Sequence, residues 1–241
     1  MISLFSGAGG MDIGFKEAGF EPALCVEQDP SCCKTLRQNL PKTPILEGDI
    51  SKITGKQILE AANLKPLEAG VVFGGPPCQS FSLAGKRMGL NDPRGRLLAE
   101  FFRIVREVLP FAFVMENVKG MLNWSGGKAI EAILNEASEP ISYKGKSYKY
   151  SCQYRLLNAV DFGAAQFRER VFFIGLRNGA AFKFPEPEYC EVNNQQELFQ
   201  SQKKWRTVRH AIGDLPEADE PSETAKNVSK TIRGRIKKHG Y

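Results

Sequence analysis

The amino-acid sequence predicts an α/β fold, a doubly wound and mostly parallel sheet with helices on both faces. Three features of the 241 residues support this prediction. Short continuous apolar runs recur along the chain, which is typical of strands buried on both faces. Segments with helical spacing of apolar residues separate the runs, as βαβ units require. Glycines, carboxylates and a cysteine follow the ends of the runs, where open α/β sheets bind ligands.

The apolar runs predict strands, and the periodic segments predict helices. Strands are predicted at 2–5, 22–26, 44–50, 69–73, 111–115, 154–160 and 170–176, and helices at 11–19, 29–40, 56–62, 96–109, 129–137 and 208–212. Residues 140–150 are predicted to be a polar turn. We expect one catalytic and cofactor-binding domain over 1–177. Residues 178–241 are expected to form a polar connector and a basic tail, either solvated or in contact with phosphates.

Composition and charge exclude several classes of protein. No apolar run is long enough to span a bilayer, and the first residues lack the basic region and cleavage site of a signal peptide. The six cysteines form no CxxC pair and have no histidine at ligand spacing. We therefore expect reduced thiols, no metal site and a cytoplasmic location. The net charge of +6 mildly favours a polyanionic partner.

A glycine-rich loop, Ser-Gly-Ala-Gly-Gly at 6–10, separates the first strand from the first helix. This arrangement is typical of loops that cradle nucleotides. Asp12 stands where the dinucleotide fingerprint needs its third glycine, and no Gly-Lys-Ser/Thr follows. The loop therefore disfavours NAD, excludes a Walker-type site and favours a cofactor with a nucleoside but no pyrophosphate. A close helix–strand packing turn is the alternative.

Two carboxylates follow the next two predicted strands. Glu27 lies about twenty residues after the glycine loop, where α/β nucleotide-binding folds hold ribose hydroxyls. Asp49 ends the following strand and either accepts a hydrogen bond from a base amine or caps the next turn. The spacing favours a ribose-binding role for Glu27 over a plain surface position, whereas Asp49 alone favours the cap.

The fourth strand leads into Gly74-Gly75-Pro76-Pro77-Cys78. Glycines allow close backbone approach and prolines stiffen a turn, so this segment holds a cysteine rigidly beyond a strand end. A buried, inert cysteine in a proline-rich turn is the alternative interpretation.

Further polar residues follow the later strands. Glu116 ends the fifth strand and lies beside the Cys78 turn if the two strands are neighbours, as consecutive strands usually are. Gln166, Arg168 and Arg170 alternate, so they share one face of an extended segment. Either an acceptor-rich ligand or paired carboxylates at a strand edge would satisfy the two arginines.

Taken together, these motifs resemble those of the cytosine-5 DNA methyltransferases in order and spacing. The motifs are Phe5-Ser6-Gly7-Ala8-Gly9-Gly10, Glu27, Gly48-Asp49-Ile50, Pro76-Pro77-Cys78-Gln79, Glu116-Asn117-Val118 and Gln166-x-Arg168-x-Arg170. The resemblance covers residues 2 to about 176, and 205–216 also look like the segment that follows the core in that family. It implies the Rossmann-like sheet of S-adenosylmethionine-dependent methyltransferases.

The resemblance also implies roles for individual residues. Phe5, Gly7, Gly9 and Pro76 would line the S-adenosylmethionine pocket, with Glu27 at the ribose and Asp49 and Ile50 at the adenine. Cys78 would be the nucleophile, Glu116 would hold cytosine N3, and Arg168 and Arg170 would support the nucleophile and the base carbonyl.

The chemistry of the reaction accounts for these residue types. Carbon 5 of cytosine is a poor nucleophile until a thiolate adds at carbon 6. The target base must also leave the double helix, because its reacting atoms are inaccessible within the stack. The implied partner is double-stranded DNA, in a restriction–modification context.

Two alternatives accompany this interpretation. Transfer RNA cytosine-5 methyltransferases of the same family carry similar motifs. No counterpart of the family's target-recognition region and its C-terminal Asn-Ser/Ala-Val-Pro-type motif occurs before Tyr241. The chain is therefore also interpreted as either a truncated piece of a longer enzyme or a cofactor-binding catalytic subunit that needs a second chain carrying that region.

Overall fold

The computed structural model describes residues 1–77, 96–180, 182–191, 203–215 and 222–239. Its strands are β1 (Ile2–Leu4), β2 (Leu24–Glu27), β3 (Ile45–Glu47), β4 (Val71–Gly74), β5 (Ala112–Val118), β6 (Ile141–Tyr143), β7 (Lys146–Tyr148), β8 (Tyr150–Asn158), β9 (Glu169–Arg177), β10 (Tyr189–Cys190) and β11 (Lys203–Lys204). Its α-helices are α1 (Gly10–Glu17), α2 (Pro30–Asn39), α3 (Gly55–Ala61), α4 (Arg96–Val108), α5 (Lys128–Ser138), α6 (Val208–Ile212) and α7 (Glu223–His239).

Seven of these strands form one sheet in the order β3-β2-β1-β4-β5-β9-β8. The pairs from β3 to β5 are parallel, whereas β9 pairs antiparallel with both β5 and β8. Strand order therefore reverses between β1 and β4, which creates the crevice where open α/β sheets bind ligands. The predicted mostly parallel α/β sheet is confirmed.

Helices cover both faces of the sheet, as the continuous apolar runs require. In β4, Val72 packs into the core on the face of α3, α4 and α5, whereas Val71 and Phe73 pack on the opposite face with Phe15 of α1. Helix α2 covers that second face through Leu36, which packs with Cys25 of β2. Parallel strands buried on both sides explain why their sequences do not alternate.

Five segments differ from their prediction. Strand β5 continues through Glu116, which was predicted to follow its end, and the strand predicted at 44–50 ends at Glu47, before a 3₁₀ turn that begins at Ile50. The predicted polar turn at 140–150 contains the β6–β7 hairpin, whose turn residues Lys144 and Gly145 both have positive φ, as a tight two-residue hairpin requires. Strand β8 begins at Tyr150 and ends at Asn158, and a 3₁₀ turn, Ala159–Phe162, replaces the end of the predicted strand. The predicted basic tail contains a helix of 17 residues, α7.

Two kinds of feature are missing from the part of the chain that the structure describes. It contains no helix with both the length and the apolar character needed to cross a membrane. It also contains no cluster of three or more histidine, cysteine, aspartate or glutamate side chains arranged to hold a metal ion.

Candidate functional site

The predicted site residues converge at the carboxyl edge of the parallel strands. Leu4 of β1 is in register with Gly74 of β4, and Gly74 is in register with Met115 of β5. The residues after these positions are Phe5, Gly75 and Glu116, which therefore come together. The shared register explains how motifs more than a hundred residues apart in sequence form one site.

Glu27 ties the glycine loop to the end of β2. Its Oε2 accepts a hydrogen bond from the Gly7 N–H at 2.7 Å. Its Oε1 accepts from the N–H groups of Gln28 and Asp29 at 2.8 and 2.9 Å. Because a carboxylate offers about four acceptor positions, one position on Oε2 remains for a ligand hydroxyl. The interpretation of Glu27 as a plain surface residue does not account for these contacts.

A pocket of about 230 Å³ opens beside this carboxylate, and we call it the loop pocket. Its walls are Phe5, Gly7, Val26, Glu27, Gln28, Gly48, Ile50, Gly75, Pro77 and Leu97. These residues fit a nucleoside. The Glu27 carboxylate can accept a hydrogen bond from a sugar hydroxyl, and the apolar walls can contact a base. Four of the predicted cofactor residues are in this wall, namely Phe5, Gly7, Glu27 and Ile50.

The other three predicted cofactor residues lie beside the loop pocket and have structural contacts. Asp49 caps a 3₁₀ turn by accepting from the Ser51 N–H at 2.9 Å, and this contact lowers the pKa of its carboxyl. Gly9 precedes α1 and donates its N–H to the Ser6 carbonyl at 3.0 Å. The Pro76 carbonyl accepts from a side chain of β5. The wall of the loop pocket contains the next residue, Pro77, and does not contain Pro76.

Two glycines at the end of β4 have close neighbours on the side where a Cβ would lie. A Cβ on Gly74 would lie 2.2 Å from the Leu4 carbonyl oxygen, and one on Gly75 would lie 2.9 Å from Glu116 Oε2. The backbone contact excludes a side chain at Gly74, whereas a side chain at Gly75 would displace the tip of the Glu116 carboxylate from its present position. Gly75 thereby allows the Glu116 carboxylate to lie against the backbone that leads into the Pro-Pro turn.

A second pocket, of about 430 Å³, contains the predicted catalytic carboxylate and both predicted arginines, and we call it the Glu116 pocket. Its walls are Gly10, Met11, Glu116, Leu157, Ala159, Phe162, Arg168, Arg170 and Phe172. Arg170 Nε lies 2.7 Å from Glu116 Oε1, and both side chains are largely buried. Of the two partners expected for the arginines, a ligand or a carboxylate, Arg170 therefore has a carboxylate.

The two pockets meet at Gly75. This residue is in the wall of the loop pocket, and its Cα faces the Glu116 carboxylate of the other pocket. Glycine-loop residues also contribute to both, Gly7 to the first and Gly10 to the second. The arrangement can therefore hold a nucleoside-containing donor next to a planar acceptor that has hydrogen-bonding edges.

Asn117 holds the end of β5 against the Pro-Pro turn. Its buried side chain donates from Nδ2 to the Pro76 carbonyl at 3.2 Å and accepts at Oδ1 from the Val118 N–H at 2.9 Å. The sequence indicated this residue only as the neighbour of Glu116. Its contact connects the two motifs that the site depends on.

Cys78, the predicted nucleophile, lies outside the described residues, which end at Pro77 and resume at Arg96. Three of the other cysteines are unsuited to the role. Burial raises the pKa of the thiols of Cys25, Cys33 and Cys152, to about 11 for Cys33 and about 12 for Cys152. Thiols with such pKa values stay protonated near neutral pH and are poor nucleophiles.

Asp12 stands where the dinucleotide fingerprint has its third glycine. It lies in the first helix after the glycine loop and is buried, with 1% of its surface exposed. Its Oδ1 accepts a hydrogen bond from Cys25 Sγ at 3.3 Å, and its Oδ2 has no hydrogen-bond partner. Burial raises the pKa of this carboxyl. Asp12 therefore links α1 to β2 and does not enter either pocket.

Sequence reasoning missed part of the apolar wall of each pocket. Leu97 and Phe172 have helix or strand periodicity and read as core residues, although both contact a pocket. Phe162 lies in a 3₁₀ turn that was predicted as the end of a strand and its loop. No local motif distinguishes such residues, because their position depends on long-range strand pairing.

Comparison with known proteins identifies the family that the sequence motifs resemble. The family model for C-5 cytosine-specific DNA methylases matches residues 1–240. Type II methyltransferase M.AquIA of a Picosynechococcus strain is 63% identical over 244 residues, covering 100% of this chain and 98% of that protein. Type II methyltransferase M1.HphI of Haemophilus parahaemolyticus is 41% identical, covering 89% of this chain and 52% of that protein.

Solved structures are similar as well. A prophage-encoded protein of E. coli, described as a DNA modification methyltransferase, superposes with a TM-score of 0.68 at 28% identity. The match covers 90% of this chain and 55% of that chain. This chain thus spans nearly all of M.AquIA but only about half of M1.HphI and of the E. coli protein.

Proposed function

Because the chain belongs to the C-5 cytosine-specific DNA methylase family, we propose that it transfers a methyl group from S-adenosylmethionine to carbon 5 of cytosine in DNA, as the modification enzyme of a restriction–modification system. The observation that carries this proposal is the meeting of the two pockets at Gly75. One pocket offers a nucleoside site, and the other offers a carboxylate and two arginines to a base.

The loop pocket is proposed to hold the cofactor. Glu27 would accept a hydrogen bond from a ribose hydroxyl through the free position on Oε2, and the side chains of Phe5 and Ile50 would contact the adenine. S-adenosylmethionine supplies an electrophilic methyl group when it is bound. Asp49 would act mainly through the turn that it caps, which positions Ile50.

The Glu116 pocket is proposed to hold the cytosine. A protonated Glu116 would donate a hydrogen bond to N3 and offset the negative charge that develops in the ring. Arg170 already contacts Glu116 Oε1, so it fixes the orientation of the carboxyl group. Arg168 contacts the same pocket and is proposed to stabilise the anionic nucleophile or the base carbonyl.

Cys78 is proposed to be the nucleophile, one residue beyond the rigid Pro76-Pro77 turn. Its thiolate would form a bond to carbon 6, and the displaced electron pair would make carbon 5 nucleophilic toward the methyl group. Loss of the carbon 5 proton and departure of the Cys78 sulfur would then restore the aromatic ring. The base has to be flipped out of the duplex for these steps to occur.

Labelled methyl transfer to DNA and to transfer RNA, measured in parallel, tests this function. Unmethylated DNA is expected to gain 5-methylcytosine, identified after enzymatic digestion to nucleosides. Label in transfer RNA alone would support the other substrate of the family instead. Label in DNA as N4-methylcytosine or N6-methyladenine would contradict the proposed chemistry.

A second chain carrying the target-recognition region is proposed as a partner. Helix α6 has no buried residue, and Val208, Ile212 and Leu215 are more than half exposed at spacings of four and three. Phe167 is 71% exposed and packs edge-on against Trp205. Exposed apolar side chains at helical spacing favour a protein partner on this side.

Activity of the purified chain tests the need for that partner. Cofactor binding without methyl transfer would support it, and transfer to DNA by the chain alone would contradict it.

The division into a catalytic domain, 1–177, and a following polar segment, 178–241, also stays a proposal. A cytoplasmic location is proposed because the substrate is genomic DNA.

A further inference from the structure

Nearly all of the excess positive charge of the chain lies in one helix. Helix α7 (Glu223–His239) contains six lysines and arginines and one glutamate, a net charge of +5. The whole chain has a net charge of +6, so the other 224 residues together carry only +1. The basic character of the protein is therefore a local property of α7.

The charges in this helix are ordered along its axis. Lys226, Lys230 and Arg233 follow one another at spacings of four and three, so they lie on one face of the helix. These three positions cover about 10 Å at 1.5 Å per residue. Cations at this spacing form a stripe that can follow a row of phosphates.

Carboxylates of the described residues neutralise only one of the three cations in this stripe. Lys226 lies 3.2 Å from Glu223 on its own helix. The Lys226 side chain is 49% exposed and that of Glu223 is 83% exposed, so solvent screens this pair. Lys230 and Arg233 are exposed and form no ion pair with the part of the chain that the structure describes. Uncharged polar side chains lie between these cations in the sequence. Three of them, Thr224, Asn227 and Thr231, are also exposed.

We propose that α7 binds the phosphate backbone of the DNA duplex outside the target base, without reading its sequence. The proposal deepens the proposed function, since it takes DNA as the substrate. Charge complementarity identifies the partner, because a stripe of cations with few local carboxylates matches a polyanion. Contacts from lysine, hydroxyl and amide side chains to phosphate oxygens position a protein on the duplex but carry no sequence information.

Salt dependence measures such contacts directly. Each phosphate neutralised in duplex DNA contributes about 0.9 to the slope of log affinity against log salt concentration. Replacement of Lys226, Lys230 and Arg233 by glutamine removes three charges and keeps good helix formers in place. The slope is therefore expected to become shallower by about 2 to 3. The parent chain should lose about 40-fold more affinity than the variant between about 50 and 200 mM salt.

The experiment uses the full chain and a short fluorescent DNA duplex of arbitrary sequence. Lys16, Lys42 and Lys65, replaced by glutamine together, form the matched control. All three are exposed and lie at or near the ends of segments that lead into parallel strands, at the edge opposite the pockets. This control variant has the same net charge as the α7 variant, so it is expected to keep nearly the parent slope.

A shallower slope in the α7 variant alone, with an unchanged melting temperature, supports the proposal. Equal slopes in the parent and α7 variants would overturn it, as would equal losses in the two variants. A change seen with single-stranded RNA but not with the duplex would also overturn it. The readout is independent of methyl transfer, so failure of the proposed reaction would leave the slope result interpretable.

Discussion

Replacement of Glu27 by glutamine tests the interpretation of the loop pocket. The carboxylate accepts three backbone N–H groups, from Gly7, Gln28 and Asp29, at 2.7 to 2.9 Å. A glutamine side chain has only one oxygen. Its NH₂ group would face either the Gly7 N–H or the other two N–H donors, and at least one donor would lose its acceptor.

The size of the effect follows from these contacts. A hydrogen bond to a charged group contributes about 1.5 to 3 kcal/mol. In either orientation of the glutamine the ribose hydroxyl loses its contact to a charged acceptor, so S-adenosylmethionine binding is expected to weaken about 10- to 150-fold. Titration calorimetry on the purified chain measures this without requiring methyl transfer or a partner chain.

Glu47 provides a matched control because it ends β3 in register with Glu27. It pairs with Arg37 at 2.8 Å and is not in the wall of the loop pocket. Glu47→Gln is expected to leave cofactor affinity unchanged. Parent-like binding by Glu27→Gln, or equal weakening in both variants, would refute the reasoning.

Three further predictions concern the chemistry and the buried carboxyl. Cys78→Ser is expected to abolish methyl transfer and to keep cofactor binding, and calorimetric loss of binding as well would indicate a structural role. Arg170→Met removes the contact that orients the Glu116 carboxyl, and such a contact contributes about 1.5 to 3 kcal/mol. If it acts in the transition state, single-turnover methyl transfer should slow about 10- to 150-fold at unchanged cofactor affinity. A parent-like rate would contradict the role of the ion pair. Burial raises the pKa of Asp12, so its folded form holds a proton more tightly than the unfolded chain, and stability should fall as pH rises from about 4 through the raised pKa. Asp12→Asn should remove that decline in melting temperature with pH, and parallel curves for the two chains would refute it.

Much of the fold follows from patterns that are local in sequence. The apolar runs that become β1 and β4 are buried on both faces, so their strands are visible without knowledge of their partners. The β6–β7 hairpin was missed because its strands are short and polar, and its turn has Lys144 where Asn or Asp is more usual. Helix α7 was missed because charged residues dominate it.

The site divides in the same way. The motifs located Glu27, Glu116 and Arg170, because glycine loops and strand ends have recognisable chemistry. The Glu116–Arg170 ion pair and the acceptor role of the Pro76 carbonyl were not predictable, since they depend on the register of β5 with β4 and β9.

The most direct test of the account is covalent trapping on DNA that contains 5-fluorocytosine. Fluorine at carbon 5 leaves no proton to remove after methyl transfer, so the Cys78 adduct cannot eliminate. In the presence of S-adenosylmethionine, and of the partner chain if transfer requires it, we predict a stable protein–DNA complex with the base bound to Cys78, located by peptide mass spectrometry. Methylation of ordinary DNA without any such complex, or a complex through another cysteine, would contradict the account.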